Sequence, residues 1–368
     1  MSYRADDLRA YIEHQFTYIA GFERNAQRYH SSPAMIDPGS GREWTYRELS
    51  AEVESLAAAL AAAGVGRGDR VAYQLYNCPE FAILYLATQR IGAISVPMNF
   101  RLSAGETAFI LQDSSPFVYF YDESLAATAE AALEKWGGRP GPVSVGADAP
   151  DTAGALSETQ SYSAFLATAA GTQAPPLPDD FSTYEETTRL YTSGTTGMPK
   201  GTALPSLVEV MSAHDVMMHF PLGPTDRTLN MTPWFHRGGL YSGGPNPVLY
   251  AGASMVILRN FDAATALDWV DEYGLTYLIG APATLEALAN AQEASPRPLT
   301  TLKGIVTMGA PLDRAAALRY QELLTPRIFN GYGTTETFWN TFLRPEDLPE
   351  RAGTARRCPS ATMRSAIA

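Results

Sequence analysis

Residues 64–99 read GVGRGDRVAYQLYNCPEFAILYLATQRIGAISVPMN, and this stretch decides the fold class. A glycine-rich turn leads into an apolar run at 71–75, which predicts a buried strand. Pro79 then opens a segment with helical spacing that continues to Arg90, and a second apolar run follows at 93–96. A strand, a helix and a strand in succession indicate a parallel sheet covered by helices.

The same alternation continues on both sides of this stretch. Upstream, apolar residues recur at helical spacing in WTYRELSAEVESLAAALAAAG (44–64), with Thr45 as the predicted N-cap and Gly64 as the C-terminal stop. Downstream, apolar runs predict further strands at 117–122, 254–259, 276–282, 304–311 and 327–333. Between residues 137 and 180 the composition changes to Gly, Pro, Ala, Thr and Ser, which predicts a long surface connection.

Composition and charge exclude several classes of protein. The chain of 368 residues is 45% hydrophobic and 18% charged, which is typical of a soluble globular protein with more than one structural subunit. The net charge of −12 disfavours nucleic acid as a partner, because binding phosphates requires clustered Lys and Arg. No apolar run is long enough to span a bilayer, and Cys78 and Cys358 form no disulfide or zinc pattern. We therefore expect a cytoplasmic protein without a transmembrane segment.

Residues 191–201 read YTSGTTGMPKG, a polar, flexible stretch directly behind the apolar Leu190. The spacing does not fit a Walker A loop, because Pro199 precedes Lys200 and a glycine follows it. Glycines nevertheless allow a close approach of the backbone to a ligand, hydroxyls add donors, and the lysine adds a positive charge. The stretch is interpreted as an anion-binding loop for the phosphates of a nucleotide; a flexible linker is the alternative for such a loop alone.

Several motifs in this chain resemble those of one family in their residues and in their order along the chain. YTSGTTGMPKG closely resembles the phosphate-binding signature of the adenylate-forming superfamily, which includes acyl-CoA synthetases, luciferases and nonribosomal-peptide adenylation domains. The other motifs are TYRELS (45–50) with GVGRGDRVA (64–72), PMNFRLSAGETAFILQDSSP (97–116), TPWFHRGG (232–239), MGAPL (308–312) and GYGTTE (331–336). The resemblance covers about residues 30 to 355.

The resemblance implies a nucleotide site with named roles. Tyr332 would stack on adenine, Thr335 would bond the α-phosphate, and Glu336 would hold Mg²⁺ through oxygen ligation. Lys200 would stabilise the departing pyrophosphate. The residues implied to bind the nucleotide are Thr192, Ser193, Gly194, Thr195, Thr196, Gly197, Lys200, Gly309, Ala310, Pro311, Gly331, Tyr332, Gly333, Thr334 and Thr335.

The acid side of the site is implied by TPWFHRGG. In the family, the corresponding histidine and its aromatic neighbour border the carboxylate and the thioester channel, which favours a positional role for His236 over proton transfer. Tyr241 and Trp339 are further candidates, although aromatic and Met side chains also serve as plain core. The implied substrate-binding residues are Trp234, Phe235, His236, Gly239 and Met308, and the implied catalytic residues are Lys200, His236, Thr335 and Glu336.

The expected architecture follows from the same resemblance. It is an α/β fold with two helix-flanked, mostly parallel sheets and a distorted β-barrel-like subdomain, within an AMP-binding N-terminal domain at residues 1–355. Residues 356–368 are interpreted as an aberrant tail, because the family's ribose-binding Asp, hinge and C-terminal domain with its lysine cannot be assigned. Lys303 is the last lysine, and we expect it at the amino end of the strand that it opens, away from ligands.

The implied reaction joins a carboxylic acid to ATP as an acyl-adenylate, with release of pyrophosphate. The thiol of CoA then forms the thioester and releases AMP. The expected partners are thus a carboxylic acid, ATP, Mg²⁺ and CoA, and a homodimer is left open. Activity is expected to be impaired without the C-terminal domain. The alternative is a noncatalytic nucleotide- or acyl-binding protein.

Overall fold

The computed structural model describes residues 4–138, 140–146, 159–192 and 198–352. In these residues the strands are β1 (Pro33–Asp37), β2 (Arg42–Thr45), β3 (Arg70–Gln74), β4 (Ile94–Pro97), β5 (Val118–Asp122), β6 (Gly141–Val145), β7 (Gln160–Ser161), β8 (Glu186–Thr192), β9 (Lys200–Pro205), β10 (Arg227–Asn230), β11 (Ser254–Val256), β12 (Tyr277–Gly280), β13 (Gly304–Met308), β14 (Ile328–Thr334) and β15 (Phe338–Leu343).

Helices alternate with these strands along the chain. They are α1 (Ala5–His14), α2 (Tyr18–Arg28), α3 (Tyr46–Ala62), α4 (Pro79–Arg90), α5 (Ala104–Ser114), α6 (Ala126–Trp136), α7 (Tyr162–Ala167), α8 (Ser206–His219), α9 (Arg237–Tyr241), α10 (Pro245–Ala251), α11 (Ala263–Glu272), α12 (Pro282–Ala294), α13 (Arg314–Leu323) and α14 (Leu348–Arg351). Two units result: Met1–Gln27 with Arg47–Val210, and Arg28–Tyr46 with Met211–Ala368.

The first unit contains a seven-stranded sheet in the order β7-β6-β5-β3-β4-β8-β9. Its strands pair in parallel except β8 and β9, which form an antiparallel hairpin. Helix α4 is buried at ten of its twelve positions, and this all-round burial explains its apolar sequence. Tyr85 on α4 donates a hydrogen bond to Glu209 Oε2 at 2.6 Å, which satisfies a buried carboxylate.

The second unit contains an eight-stranded sheet in the order β15-β14-β13-β12-β10-β11-β1-β2. Six central strands, from β14 to β1, pair in parallel, and the outer strands β15 and β2 are antiparallel. One face of this sheet packs against α11, α12 and α13 through an aliphatic core that includes Leu229, Leu278, Ile305, Val270 and Leu285. Parallel strands therefore bring their carboxyl ends to one edge.

The predicted fold class is confirmed, with three corrections. All strands of the described residues belong to the two sheets, so the expected barrel-like subdomain has no counterpart among them. The expected surface connection at 137–180 contains β6, β7 and α7, because short strands with few apolar residues give a weak sequence pattern. The strand expected over 304–311 ends at Met308, because Gly309 adopts a φ of +85°, which is incompatible with a strand.

No helix in the described part of the chain is both long and apolar enough to cross a bilayer.

Candidate functional site

A cavity of about 440 Å³ lies at the carboxyl edge of the eight-stranded sheet. Four parallel strands reach it, because its lining contains residues at, or shortly after, the carboxyl ends of β10, β12, β13 and β14. Ligands of open parallel sheets bind at this edge. The lining residues are Thr232, His236, Arg237, Gly238, Ser242, Ala281, Met308, Gly309, Gly333, Thr334, Thr335, Phe338 and Trp339.

The β14–β15 hairpin forms one wall of the cavity and contains GYGTTE. Its turn is held by Thr334 and Thr337, whose hydroxyl oxygens lie 3.0 Å apart. The backbone N–H of Thr337 also donates a 3.4 Å hydrogen bond to the hydroxyl of Thr334. Gly333 is required here, because a Cβ atom would lie 1.4 Å from the carbonyl oxygen of Phe338. Gly331 likewise accommodates Trp339, whose indole nitrogen would lie 2.9 Å from an added Cβ. The glycines therefore let two strands close tightly beside the cavity.

Phe338 holds a strained backbone at the start of β15. Its φ of 57° lies in the left-handed region, which is costly for a bulky side chain. The conformation places its ring against Trp339, with centroids 4.6 Å apart and planes 13° from parallel. Both rings line the cavity and thus form a fixed aromatic wall.

His236 stands directly before α9 and reaches the cavity with an exposed side chain. Its ring lies 4.1 Å from that of Phe235, at an interplanar angle of 49°. Phe235 and Trp234 are 4% and 1% exposed and do not line the cavity, so the structure gives them packing roles. Gly239 does not line it either: a Cβ there would lie 1.9 Å from the carbonyl oxygen of Pro233, which explains the glycine.

The implied nucleotide-binding residues of MGAPL and GYGTTE are only partly brought to the cavity. Gly309 lines it, whereas Ala310 and Pro311 are exposed and do not. Tyr332 is 61% exposed and also lies outside the lining, so its ring is available for stacking on a planar ligand. Gly331 is buried against the aromatic wall and has a packing role instead.

Glu336 follows Thr335 in the hairpin turn, and its side chain is exposed. The residues that the structure describes contain no group of three or more His, Cys, Asp or Glu side chains that could hold a metal ion. A lone carboxylate suits Mg²⁺ only where substrate phosphates and water supply the other oxygens, which is the usual arrangement for this ion. The hairpin therefore fits a phosphate-bridging Mg²⁺ and no dedicated metal cage.

The predicted anion loop belongs to the first unit, where it joins β8 to β9. The antiparallel ladder continues until Thr192 pairs with Lys200, whose side chain is exposed. Below this pair, Tyr191 donates a 2.5 Å hydrogen bond to Asp113 Oδ2, and burial raises the pKa of the tyrosine. The implied ligands Ser193, Gly194, Thr195, Thr196 and Gly197 lie outside the described residues. The base of the loop is thus held by pairing on both strands and by one side-chain contact.

Lys303 lies at the opposite edge of the eight-stranded sheet, as expected. It directly precedes β13, and its Nζ atom lies 2.7 Å from Asp226 Oδ1. The carboxylate is 2% exposed, so the ion pair neutralises a buried charge. Lys303 is therefore paired with Asp226 at the end of β13 that lies away from the cavity.

Six lining residues were not among the predicted site residues: Thr232, Arg237, Gly238, Ser242, Ala281 and Phe338. Three of them lie within or beside TPWFHRGG, so the motif contained a usable signal in Arg237, a cation between a histidine and two glycines. Phe338 could not be predicted in the same way, because its position in the wall depends on a left-handed backbone conformation that the sequence does not indicate.

Sequence comparisons show which known proteins this chain is similar to. Residues 22–364 match the family described as AMP-binding enzyme. The chain is 31% identical to an indoleacetate–CoA ligase from Aromatoleum aromaticum, over 88% of this chain and 61% of that protein. It is 28% identical to a 4-chlorobenzoate–CoA ligase from Arthrobacter sp, over 89% of this chain and 59% of that protein.

The fold is also similar to solved structures. The crystal structure of ATP-bound MatB from Rhodopseudomonas palustris matches with a TM-score of 0.75 and 25% identity, covering 92% of this chain and 63% of that one. The chain thus spans about three fifths of the length of the curated relatives that it matches.

Proposed function

Since the chain belongs to the family of AMP-binding enzymes, we propose that it binds ATP and a carboxylic acid and activates the acid for transfer to CoA. A carboxylate oxygen attacks the α-phosphorus of ATP, and pyrophosphate leaves with the bonding electron pair. The CoA thiolate then attacks the acyl carbon of the adenylate and expels AMP, so that a poor leaving group has been exchanged for a good one.

One observation carries the proposal: the ends of β13 and β14 place Gly309 and Thr335 in the lining of the same cavity as His236. Thr335 would donate its hydroxyl to an α-phosphate oxygen, where negative charge accumulates during attack. Gly309 has no side chain and nothing within 4 Å of its Cβ position, so a flat ligand could lie against its backbone. Tyr332, with its exposed ring, would stack on the adenine.

Three further residues have proposed roles in binding the metal, the pyrophosphate and the acid. Glu336 would hold Mg²⁺, which supplies charge neutralisation to the phosphates. Lys200, whose backbone pairs with Thr192, would bind the departing pyrophosphate through its positive charge. His236 would border the reacting carboxylate, with its ring held against Phe235. This role orients the acid and requires no proton transfer.

The test is an ATP–pyrophosphate exchange assay with a panel of aryl and aliphatic acids. We expect exchange with at least one acid, and a loss of about tenfold or more in Thr335→Val, because one donor to developing charge is removed. Thr341→Val, which alters the same hairpin outside the cavity lining, is the matched control and should retain exchange. ATP binding without pyrophosphate release for any acid would instead identify a noncatalytic nucleotide-binding protein.

The acceptor thiol is tested separately. AMP release in single turnovers should accelerate with CoA, and the product should carry the acyl group as a thioester. Trapping with hydroxylamine reports the adenylate whether or not CoA reacts. Adenylate formation without any acceleration by CoA would retain the first half-reaction and overturn the second.

A further inference from the structure

The strand that carries Lys200 is held on one side only. β9 is the last strand in the order of the seven-stranded sheet and pairs with β8 among the described strands. Lys200 and Gly201 at its amino end are exposed, and of the six residues of β9 only Leu204 is buried. An edge strand with so little buried surface at one end has few contacts that fix that end. The position of Lys200 therefore depends on its cross-strand neighbours on β8.

Tyr191 is the cross-strand neighbour that packs on this end of β9. It pairs with Gly201 in the β8–β9 ladder, and Thr192 pairs with Lys200 one step further. A Cβ atom at Gly201 would lie 3.2 Å from Cζ of Tyr191 and 3.0 Å from Cδ of Arg189. Both side chains thus pack on the backbone of Gly201, which has no side chain of its own to contribute to the pairing. The tyrosine ring takes the place of the missing side chain.

The hydroxyl of Tyr191 is anchored outside the hairpin. It donates a hydrogen bond of 2.5 Å to Oδ2 of Asp113, near the carboxyl end of α5. Burial and this hydrogen bond raise the pKa of Tyr191, so the hydroxyl keeps its proton and remains a donor. Helix α5 begins with a capping box of Ser103 and Glu106, and Leu111 on the same helix is fully buried. Tyr191 therefore connects the end of the hairpin to a helix that is itself well anchored.

The location of Asp113 has no local explanation. A carboxylate near the carboxyl end of a helix faces the negative end of the helix dipole, and the last turn of α5 has no basic residue to offset it. A residue that opposes a local preference is expected where a tertiary contact compensates for it. Asp113 also belongs to PMNFRLSAGETAFILQDSSP (97–116), a motif to which the proposed function assigns no role. The hydrogen bond from Tyr191 accounts for the carboxylate.

The ladder leaves the other face of the hairpin to Lys200. Successive side chains of a strand point to opposite faces, and directly paired residues point to the same face. Tyr191 and Gly201 thus occupy one face, and Thr192 and Lys200 occupy the other. The contact from Tyr191 therefore fixes the backbone without filling the space around the lysine side chain.

We propose that Tyr191 is a positioning residue, which holds the amino end of β9 so that the ammonium group of Lys200 meets the pyrophosphate. This inference rests on the proposed function, which assigns Lys200 to that anion. A lysine side chain is long and flexible, so the placement of its backbone limits the positions that its charge can reach. Fixing the backbone before the anion binds reduces the ordering that binding requires. Tyr191 acts through Lys200 and needs no contact with the substrates.

The first test measures anion binding without any reaction. Isothermal titration with inorganic pyrophosphate and Mg²⁺ compares the parent with Tyr191→Phe, which keeps the ring and loses the hydroxyl. We expect Tyr191→Phe to bind about three- to tenfold more weakly, the scale of one lost hydrogen bond. Asp113→Ala should weaken binding equally, whereas Asp113→Asn should keep most of the affinity because its amide oxygen still accepts. Tyr184→Phe, at a tyrosine of the same unit that is 62% exposed, is the matched control.

A double-mutant cycle with Lys200→Ala separates positioning from a general loss of structure. Because Tyr191 acts through Lys200, Tyr191→Phe should change pyrophosphate affinity by less than about twofold in the Lys200→Ala background. The same loss in both backgrounds, unchanged affinity in Tyr191→Phe, or no binding of pyrophosphate by the parent overturns the proposal. If Lys200→Ala binds too weakly to titrate, the Asp113 variants decide: equal losses in Asp113→Asn and Asp113→Ala overturn it. Circular dichroism checks the fold of each variant.

Pyrophosphate exchange separates this inference from the proposed function. With an acid that supports exchange, Tyr191→Phe should lower kcat about three- to tenfold and leave the KM for the acid within about twofold, since His236 is proposed to border the acid. Exchange with an unchanged kcat in Tyr191→Phe retains the ligase activity and overturns the role of Tyr191. Weaker pyrophosphate binding in Tyr191→Phe, without exchange for any acid, retains the role of Tyr191 and overturns the ligase activity.

Discussion

The two edges of the eight-stranded sheet carry charged and polar groups of different kinds. At the amino edge, Lys303 is paired with the buried Asp226 at 2.7 Å. Beside them, Arg227 donates hydrogen bonds to the hydroxyl of Ser254 at 3.2 Å and to the carbonyl oxygen of Tyr273 at 2.5 Å. A second cavity of about 360 Å³ opens here, and its lining includes Asp226 and Arg227.

At the carboxyl edge, hydroxyls and glycines take the place of ion pairs. Thr334, Thr335, Gly309 and Gly333 line the cavity there, and all four are at least partly exposed. Cavity volume is similar at the two edges, so volume does not identify the site. At the amino edge Lys303 and Asp226 are paired with one another, whereas at the carboxyl edge the hydroxyl-bearing residues are at least partly exposed to a ligand. That difference, together with the direction of the parallel strands, supports our proposal that the carboxyl edge is the functional one.

Lysine substitutions give the largest expected contrast. Lys200→Ala should slow pyrophosphate exchange by about 30- to 1,000-fold, or about 2–4 kcal/mol, because a contact to developing charge is lost. Lys303→Ala should leave exchange within about twofold of the parent and lower stability instead, because Asp226 would remain buried without its cation.

Exchange rates and urea unfolding of both variants check this prediction. An unchanged rate in Lys200→Ala would remove this residue from the site. A rate loss in Lys303→Ala as large as that of Lys200→Ala would show that the amino edge of the eight-stranded sheet also contributes to the reaction.

A pH dependence of stability is expected from the aromatic wall. His219 stacks on Phe342 with ring centroids 4.7 Å apart and also contacts Trp339. Burial, with a further contribution from the positive charge of Arg344, lowers the pKa of His219 from 6.5 to about 4. Below pH 6.5 the unfolded chain therefore binds a proton more readily than the folded one. Stability should be full above about pH 6.5 and fall by no more than about 3 kcal/mol as the pH drops to about 4.

Urea unfolding at several values between about pH 7.5 and pH 4 measures this loss. His219→Phe should show a shallower decline, because the aromatic contact is kept and the titrating group is gone. His30→Phe, at an exposed position of the same unit, is the control and should follow the parent. Identical pH profiles for His219→Phe and the parent would refute the role of His219.

Much of the fold was predictable, because the spacing of apolar residues and the positions of proline and glycine indicate the same helix boundaries. Helix α4 was predicted from Pro79 to Arg90 and has those bounds, since proline fixes its start and the glycine after Ile91 ends it. Helix α3 begins one residue after the predicted N-cap Thr45. The strands β6 and β7 were missed, because their pairing in the sheet, and not their composition, makes them strands.

The site was predictable where a motif names its residues and not where tertiary packing selects them. Of the predicted residues, His236, Met308 and Thr335 line the cavity, whereas Trp234 and Phe235 are buried. The sequence alone does not show whether an aromatic residue of a motif lines the cavity or packs in the core behind it. That choice is made by neighbours that are distant in the chain, such as the hairpin turn that brings Phe338 and Trp339 into the lining.

A pair of glycine substitutions compares backbone packing at the two edges. Gly333→Ala should cost about 1–3 kcal/mol and weaken ATP binding, because its Cβ would collide with the backbone of Phe338. Gly274→Ala, in the lining of the amino-edge cavity, should cost about 1–2 kcal/mol through its φ of +60° alone, with no effect on ATP affinity. Urea unfolding and ATP titration separate these cases. ATP affinity that falls equally in both would show a general loss of order instead of a local site.

The smallest expected effect concerns the exposed carboxylate of the hairpin turn. Glu336→Gln keeps the size and hydrogen-bonding capacity of the side chain but removes the charge that a hard cation requires. The described residues contain no group of three or more His, Cys, Asp or Glu side chains that could hold a metal ion. In the variant, Mg²⁺ at the phosphates would therefore lose the proposed protein ligand while keeping its phosphate and water ligands. The enhancement of ATP affinity by Mg²⁺ should therefore fall by about tenfold, or about 1.4 kcal/mol, whereas affinity without metal should hold or rise slightly as like-charge repulsion is relieved. Calorimetric titration with and without Mg²⁺ measures both quantities, and Glu346→Gln, an exposed carboxylate beyond β15, is the control. If the metal enhances binding equally in Glu336→Gln and the parent, this edge of the sheet presents hydroxyls alone and the metal is held elsewhere.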